Sequence, residues 1–258
     1  MHIIMMTDYL KRGAEASRLL VIMSTVASCL SMPANAQQIR VFYSSGTGFI
    51  VSKDGHVITN AHVVRGCASP QVELRGAMQG SGRVIARDDA NDLALIDTSQ
   101  HPDTYAYLSA DTRTVKPGED VMVMGYPLEA AQTGEYAIAM AEVIADKGPT
   151  GEAQWMQFSS SAQQGNSGGP LLDSSGHVIG VVTGKTDLFE VNETMRTRKY
   201  LSSSDIAVAL PILKAFLDDN RIRYTTRPGG TRRSGGWMEN RARQFITNIR
   251  CETGREVS

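Results

Sequence analysis

Between residues 39 and 201 the sequence breaks into about a dozen short runs, most rich in Val and Ile and fenced by Gly, Asp, Asn or Pro. They fall at 39–44, 48–52, 56–59, 71–74, 82–87, 93–97, 120–125, 136–145, 154–158, 170–173, 177–183 and 197–201. No helical periodicity separates them. Strands this short, with no helices to cover them, bury their apolar faces by forming antiparallel barrels or a sandwich. Asp54-Gly55 and Ser175-Gly176 supply turn pairs, because glycine accepts the positive φ that tight hairpins need. Residues 50–58 and 172–179 echo one another, as two similar halves would, although unrelated hairpins share the same pattern.

The first helical pattern is 210–220, where Ile212, Leu213, Phe216 and Leu217 share a face. A Pro/Gly/Arg-rich linker follows at 227–236. From 237 to 250, Met238, Ala242, Phe245, Ile246 and Ile249 fall on one face of a second candidate helix. The net charge of −1 gives no reason to expect nucleic-acid binding, but it conceals an asymmetry. From Arg221 onward there are nine Arg and three acidic residues, which leaves −7 for residues 1–220. The basic tail could lie on an anionic membrane surface, dock a protein partner, or pack back on the globular part.

Residues 1–36 read as a signal peptide: Lys11, Arg12 and Arg18, an apolar run over 19–30, then Ala34-Asn35-Ala36. Val26-Ala27-Ser28-Cys29 offers a competing reading as a lipobox with Cys29 as the lipidated residue. Either route takes the chain out of the cytoplasm, to the periplasm or beyond. Cys67 and Cys251 remain; they could pair there or stay as two buried thiols. No residues have metal-ligand spacing, so the expected chemistry uses neither metal nor cofactor.

Three segments carry chemistry. Gly165-Asn166-Ser167-Gly168-Gly169-Pro170 presents a hydroxyl in a turn whose first glycine can aim successive N–H groups into one cavity. Ser167 is the candidate nucleophile, and the N–H groups of Gly165 and Ser167 are the candidate oxyanion donors. His62 follows a strand in Val57-Ile58-Thr59-Asn60-Ala61-His62-Val63-Val64 and is the candidate base. Asp92 stands before the apolar run Leu93-Ala94-Leu95-Ile96. A carboxylate there needs a hydrogen-bonding partner, and the His62 imidazole would be one. Asp88 and Asp89 are the rival acids and read as solvated turn residues.

The motifs T-N-A-H-V-V, N-D-L-A-L-I and G-N-S-G-G-P-L, in that order, resemble those of trypsin-like serine peptidases. Their spacing and the M-G-Y-P segment at 124–127 are most similar to the high-temperature-requirement A (HtrA/Deg) proteases, over roughly residues 46–217. The resemblance implies an all-β fold of two six-stranded antiparallel barrels plus a C-terminal helix, with His62 and Asp92 on the first barrel and Ser167 on the second. The expected organisation is a signal peptide (1–36), a first barrel (37–125), a second barrel with closing helix (126–220) and the basic tail (221–258).

Several features depart from the family pattern. About 38 residues follow the 210–220 helix, below the usual size of a domain, so a PDZ module is not expected. The segment between the expected signal peptide and the first strand is very short, which weakens any inference of a trimer. Asn166 stands where trypsin-type zymogens have the aspartate that captures a new N-terminus. Order in the loops 127–135 and 184–198 would then control activity. Ser161, six residues before the nucleophile, and Thr183 are expected to line the substrate pocket, favouring small or medium uncharged side chains. The implied function is a serine endopeptidase acting on polypeptides. A catalytically weak binding or chaperone-like protein of the same fold, and an esterase, are the alternatives.

Overall fold

A computed structural model describes residues 39–256, apart from 75–77, 111–114, 129–132, 160–161 and 193–196. The expected signal peptide, Cys29 and Ser161 therefore lie outside the described residues. Residues 41–254 form one compact unit, and the description below concerns that unit.

The first sheet contains β1 (Ile39–Ile50), β2 (His56–Thr59), β3 (Gln71–Leu74), β4 (Met78–Ser81), β5 (Arg83–Asp88), β6 (Leu93–Asp97) and, from far along the chain, β15 (Ile246–Glu256). Their spatial order is β4-β3-β15-β1-β2-β6-β5. β4 and β5 form opposite edges, yet only Gly82 separates them in sequence. The chain turns a corner there. A Cβ on Gly82 would sit 2.3 Å from Ile96 Cγ2, so the close approach requires glycine. Gly82 N–H donates to Pro70 O at 2.8 Å and Val84 N–H to Ala68 O at 3.0 Å, rolling the sheet onto itself. The half expected as a six-stranded barrel is thus a rolled seven-stranded sheet, its additional strand supplied by the tail.

The second sheet is a closed barrel. β8 (Asp120–Gly125), β9 (Ala137–Ala145), β10 (Trp155–Phe158), β11 (Pro170–Leu172), β12 (Val178–Asn192) and β13 (Thr197–Ala209) run in the order β11-β8-β9-β10-β13-β12, and β12 pairs back onto β11. The short strands β7 (Leu108–Ser109) and β14 (Thr226–Arg227) add in parallel beyond β12. β8 belongs to this barrel rather than to the first half, where it was expected. Most of 184–198, expected as a loop, is strand: Lys185 pairs with Asp205 and Asn192 with Thr197 in one long hairpin.

Strand periodicity explains the apolar runs. Successive side chains point to opposite faces. Val121 and Val123 of β8 therefore fill the barrel with Val143, Met156 and Phe158. Met122 and Met124 face the other way, into the core shared with the first sheet. Leu171 and Leu172 of β11 divide in the same manner. Both faces are buried, so the runs are continuous rather than alternating. Helix α1 (Leu210–Asp219) has proline in its first turn and packs Leu213, Phe216 and Leu217 into the shared core.

Of the alternatives for the tail, the structure has it packed back on the globular part, but not as one helix over 237–250. Helix α2 (Gly235–Ala242) is capped by Ser234 Oγ, which accepts from Trp237 N–H at 3.3 Å. It ends after eight residues, and β15 begins at Ile246. Met238, Ala242, Phe245, Ile246 and Ile249 are all buried in the shared core. The apolar face proposed to meet a membrane is thereby occupied. β15 pairs with β3, placing Ile249 opposite Val72 and Arg250 opposite Gln71. Cys67 and Cys251 form a disulfide with Cα atoms 6.0 Å apart, closing a loop of 184 residues. By restricting the unfolded chain, such a cross-link contributes about 2–4 kcal/mol. Replacing both cysteines by serine is expected to lower unfolding stability by that amount in denaturant titrations at matched pH. An unchanged midpoint would show that β15 holds without it.

Candidate active site

β2 and β6 are hydrogen-bonded neighbours, with Thr59 opposite Ala94. The residues just past β2 and just before β6 therefore emerge together. His62 and Asp92 meet there: His62 Nδ1 lies 2.7 Å from Asp92 Oδ2, and His62 N–H donates to Asp92 Oδ1 at 3.0 Å. A carboxylate can only accept, so Nδ1 carries a proton, and in the neutral form of the ring the lone pair is on Nε2. The His62 side chain is 41% exposed, so the ring is reachable from solvent. Asp92 itself adopts a left-handed backbone (φ 53°), a conformation uncommon outside Gly, Asn and Asp. Asn60 Nδ2–H donates to its carbonyl at 2.8 Å and holds the turn.

Burial pushes the Asp92 carboxyl up. The His62 ring, the Thr183 hydroxyl and the His62 backbone N–H outweigh it and hold the acid below its ordinary value. Asp92 is thus ionised at neutral pH. The rival acids are engaged elsewhere: Asp88 accepts from Ala90 N–H and Asn91 N–H, each at 3.0 Å, and Asp89 pairs with Arg87.

The Ser167 turn comes from the second sheet, between β10 and β11. Gly165 has φ 104° and Gly168 has φ 86°, values that side chains rarely allow. A Cβ on Gly168 would lie 2.1 Å from Thr47 O, so the turn can seat against β1 only with glycine. Gly168 N–H donates to Val182 O at 2.7 Å and Gly169 N–H to Asn166 O at 2.9 Å. Among the described residues, the N–H groups of Gly165 and Ser167 donate to no protein acceptor. Ser167 Oγ–H donates to Thr183 O at 3.1 Å and not to the His62 ring.

Thr183 has a part that its sequence context did not suggest. Expected on a substrate-pocket wall, it is nearly buried, its carbonyl accepts from Ser167 and its hydroxyl donates to Asp92 Oδ2. Thr47 was missed altogether. This fully buried residue of β1 makes four hydrogen bonds. Its N–H donates to Ser167 O at 2.8 Å, its hydroxyl donates to Gly165 O at 2.8 Å and accepts from Tyr126 N–H at 2.8 Å, and its carbonyl accepts from the Thr59 hydroxyl at 2.7 Å. The only signal for it was a small polar residue between Gly46 and Gly48, at a break between two expected strands.

Two substitutions test these contacts. Thr47→Val strands two buried backbone groups, each costing about 1–3 kcal/mol. A loss of about 2 kcal/mol or more is expected in equilibrium unfolding, and no loss would mean that the hydroxyl is not needed. Thr183→Val removes a donor to the Asp92 carboxylate, so its pKa should rise, as read by carboxyl NMR titration. The sign follows from linkage. A depressed carboxyl contributes stability above its unfolded value of about 3.9 and loses it as pH falls through the lower folded value. The variant should therefore lose that contribution at a higher pH than the parent chain.

The sequence model of the trypsin-like peptidase domain matches residues 46–181. The chain is similar to the uncharacterised protein y4bJ of Sinorhizobium fredii, at 42% identity over 209 residues, covering 81% of this chain and 32% of that one. It is also similar to the magnetosome formation protease MamE of Magnetospirillum gryphiswaldense, at 34% identity over 143 residues, covering 54% of this chain and 18% of that one. The chain thus spans a third or less of the length of these relatives. Among solved structures, the HtrA-type protease AlgW with a decapeptide superposes with a TM-score of 0.54 over 67% of this chain and 50% of that one, at 20% identity, which is a likeness of fold. On the match of its sequence over more than half its length, the chain belongs to the trypsin-like peptidase domain family.

Proposed function

We propose that this chain is a serine endopeptidase acting on polypeptides outside the cytoplasm, with Ser167 as nucleophile, His62 as general base and Asp92 as the group that orients His62. The observation that carries this reading is that Thr183 touches both parts of the site: its carbonyl accepts from Ser167 Oγ–H and its hydroxyl donates to Asp92 Oδ2, which lies 2.7 Å from His62 Nδ1. This reading requires the Ser167 hydroxyl to leave Thr183 O and donate to His62 Nε2 instead. Such catalytic bonds are often absent before substrate binds. Nε2 would then take the hydroxyl proton as Oγ attacks the scissile carbonyl, and later return it to the leaving amine. Water would hydrolyse the acyl-enzyme by the same route. The free N–H groups of Gly165 and Ser167 suit the oxyanion of each tetrahedral intermediate. The Cys67–Cys251 disulfide supports an oxidising compartment. Polypeptide substrates are in keeping with the peptide bound by AlgW.

The Ser167–Thr183 bond also favours a second reading, a catalytically weak binding protein of the same fold. Fluorophosphonate labelling separates the two. Covalent capture at Ser167 that disappears in Ser167→Ala supports the peptidase, and failure to label the full chain supports the binding protein. Against casein, Ser167→Ala and His62→Ala are expected to lower turnover by about 10⁶-fold. Asp92→Asn, which leaves the geometry but misdirects the tautomer, should lower it by about 10⁴-fold. Turnover of ester substrates by the unmodified chain, with no turnover of amides or casein, would favour an esterase.

A further inference from the structure

A cavity of about 540 Å³ lies between the 175–177 turn and the segment 227–245. Arg227, Arg233 and Arg241 line it together with Tyr107, Trp237 and Thr231, and no Asp or Glu lines it among the described residues. Its arginines contrast with others on this surface. Arg83, Arg223, Arg232 and Arg250 each meet a carboxylate within 4 Å. Adjacent residues show the difference most directly: Arg232 pairs with Asp120 at 2.7 Å, while Arg233 lies 4.8 Å from the centre of the Trp237 ring. Arg227 and Arg241 both stand over Tyr107, at 5.1 and 4.9 Å from its centre. Their guanidinium carbons are therefore at most about 10 Å from one another, comparable to one Debye length at 0.1 M ionic strength. Two cations held that close repel unless an anion joins them.

The aromatic rings hold the guanidinium groups in place by cation–π contact, and a guanidinium so held can still recognise phosphoryl oxygens through paired N–H hydrogen bonds. Arg241 is anchored further by donating to Tyr105 O at 3.1 Å. Gly229 and Gly230 form part of the wall, and Gly230 N–H is held by Ser175 Oγ at 3.1 Å. Nothing stands within 4 Å of where a Cβ of Gly230 would be, so the approach is open. From this juxtaposition we infer that the Arg227–Arg233–Arg241 cavity binds a phosphoryl group, as a free diphosphate or as the headgroup of a phosphomonoester lipid. Most of this lining lies beyond the residues that the family sequence model matches, and the inference stands apart from the peptidase reading.

The test is calorimetric titration of the full chain with inorganic pyrophosphate against sodium chloride of equal ionic strength. Saturable binding is expected, weakened at least tenfold in the double variant Arg227→Gln/Arg233→Gln. Both side chains are exposed, and retained far-UV circular dichroism and melting temperature would verify that the fold persists. The charge-conserving pair Arg227→Lys/Arg233→Lys should also bind more weakly, because ammonium groups lose the paired N–H geometry. Sedimentation with phosphatidylcholine vesicles, with and without phosphatidic acid, identifies the source. Recruitment by phosphatidic acid that pyrophosphate reverses supports the lipid headgroup, and pyrophosphate binding without recruitment supports a soluble ligand. Failure of pyrophosphate to bind saturably, or equal affinity in the double Gln variant, overturns the site.

Discussion

A single buried threonine holds the site's parts in register. Thr47 sits in a strand of the first sheet, yet two of its four hydrogen bonds reach the Ser167 turn and a third reaches Tyr126 at the end of β8. Its carbonyl takes the fourth, from Thr59, immediately upstream of the His62 segment. Buried backbone groups are costly to leave unpaired, so these bonds fix separation as well as attraction. Gly168 makes the same point from the other side, because any larger residue there would push the turn off β1. The position of Ser167 is therefore set by the first sheet as much as by the barrel to which it belongs.

Electrostatics then organises what packing has brought together. Asp92 gathers two donors from His62 and one from Thr183. Each favours its ionised form, and together they overcome the desolvation that burial imposes. The left-handed backbone at Asp92 is tolerable because its carbonyl is also held, by Asn60. A strained residue over-determined by its neighbours is what a pre-organised site requires. Thr183 connects this acid to the Ser167 turn through its carbonyl, so one residue touches both.

Local signals carried the sequence reading. The positions of His62, Asp92 and Ser167 stood out because each lies in a turn beside an apolar strand, and the strand runs themselves were written in Val, Ile and glycine punctuation. Thr47 and the part played by Thr183 were illegible, since their hydrogen bonds join segments far apart in sequence. The tail misled for a clearer reason. Met238, Ala242, Phe245 and Ile249 have helical spacing, but Thr247 and Asn248 are buried as well, so β15 shows no alternation of apolar and polar residues. The β-branched Ile246, Thr247 and Ile249 were the better guide, favouring a strand once β1 and β3 offered edges. Nothing local could reveal that pairing, or that of Cys67 with Cys251.

The place of β15 between β3 and β1 bears on how the chain acquires its structure. Its neighbours leave the ribosome almost the whole described length earlier. Until β15 arrives, β1 and β3 each present an unsatisfied edge, and the shared core lacks Ile246 and Ile249. Closing so long a loop is slow relative to local hairpins. The rolled sheet carrying His62 and Asp92 is thus completed after the closed barrel has all its strands. A nascent chain would hold the hydroxyl-bearing turn before it holds a finished seat for the imidazole.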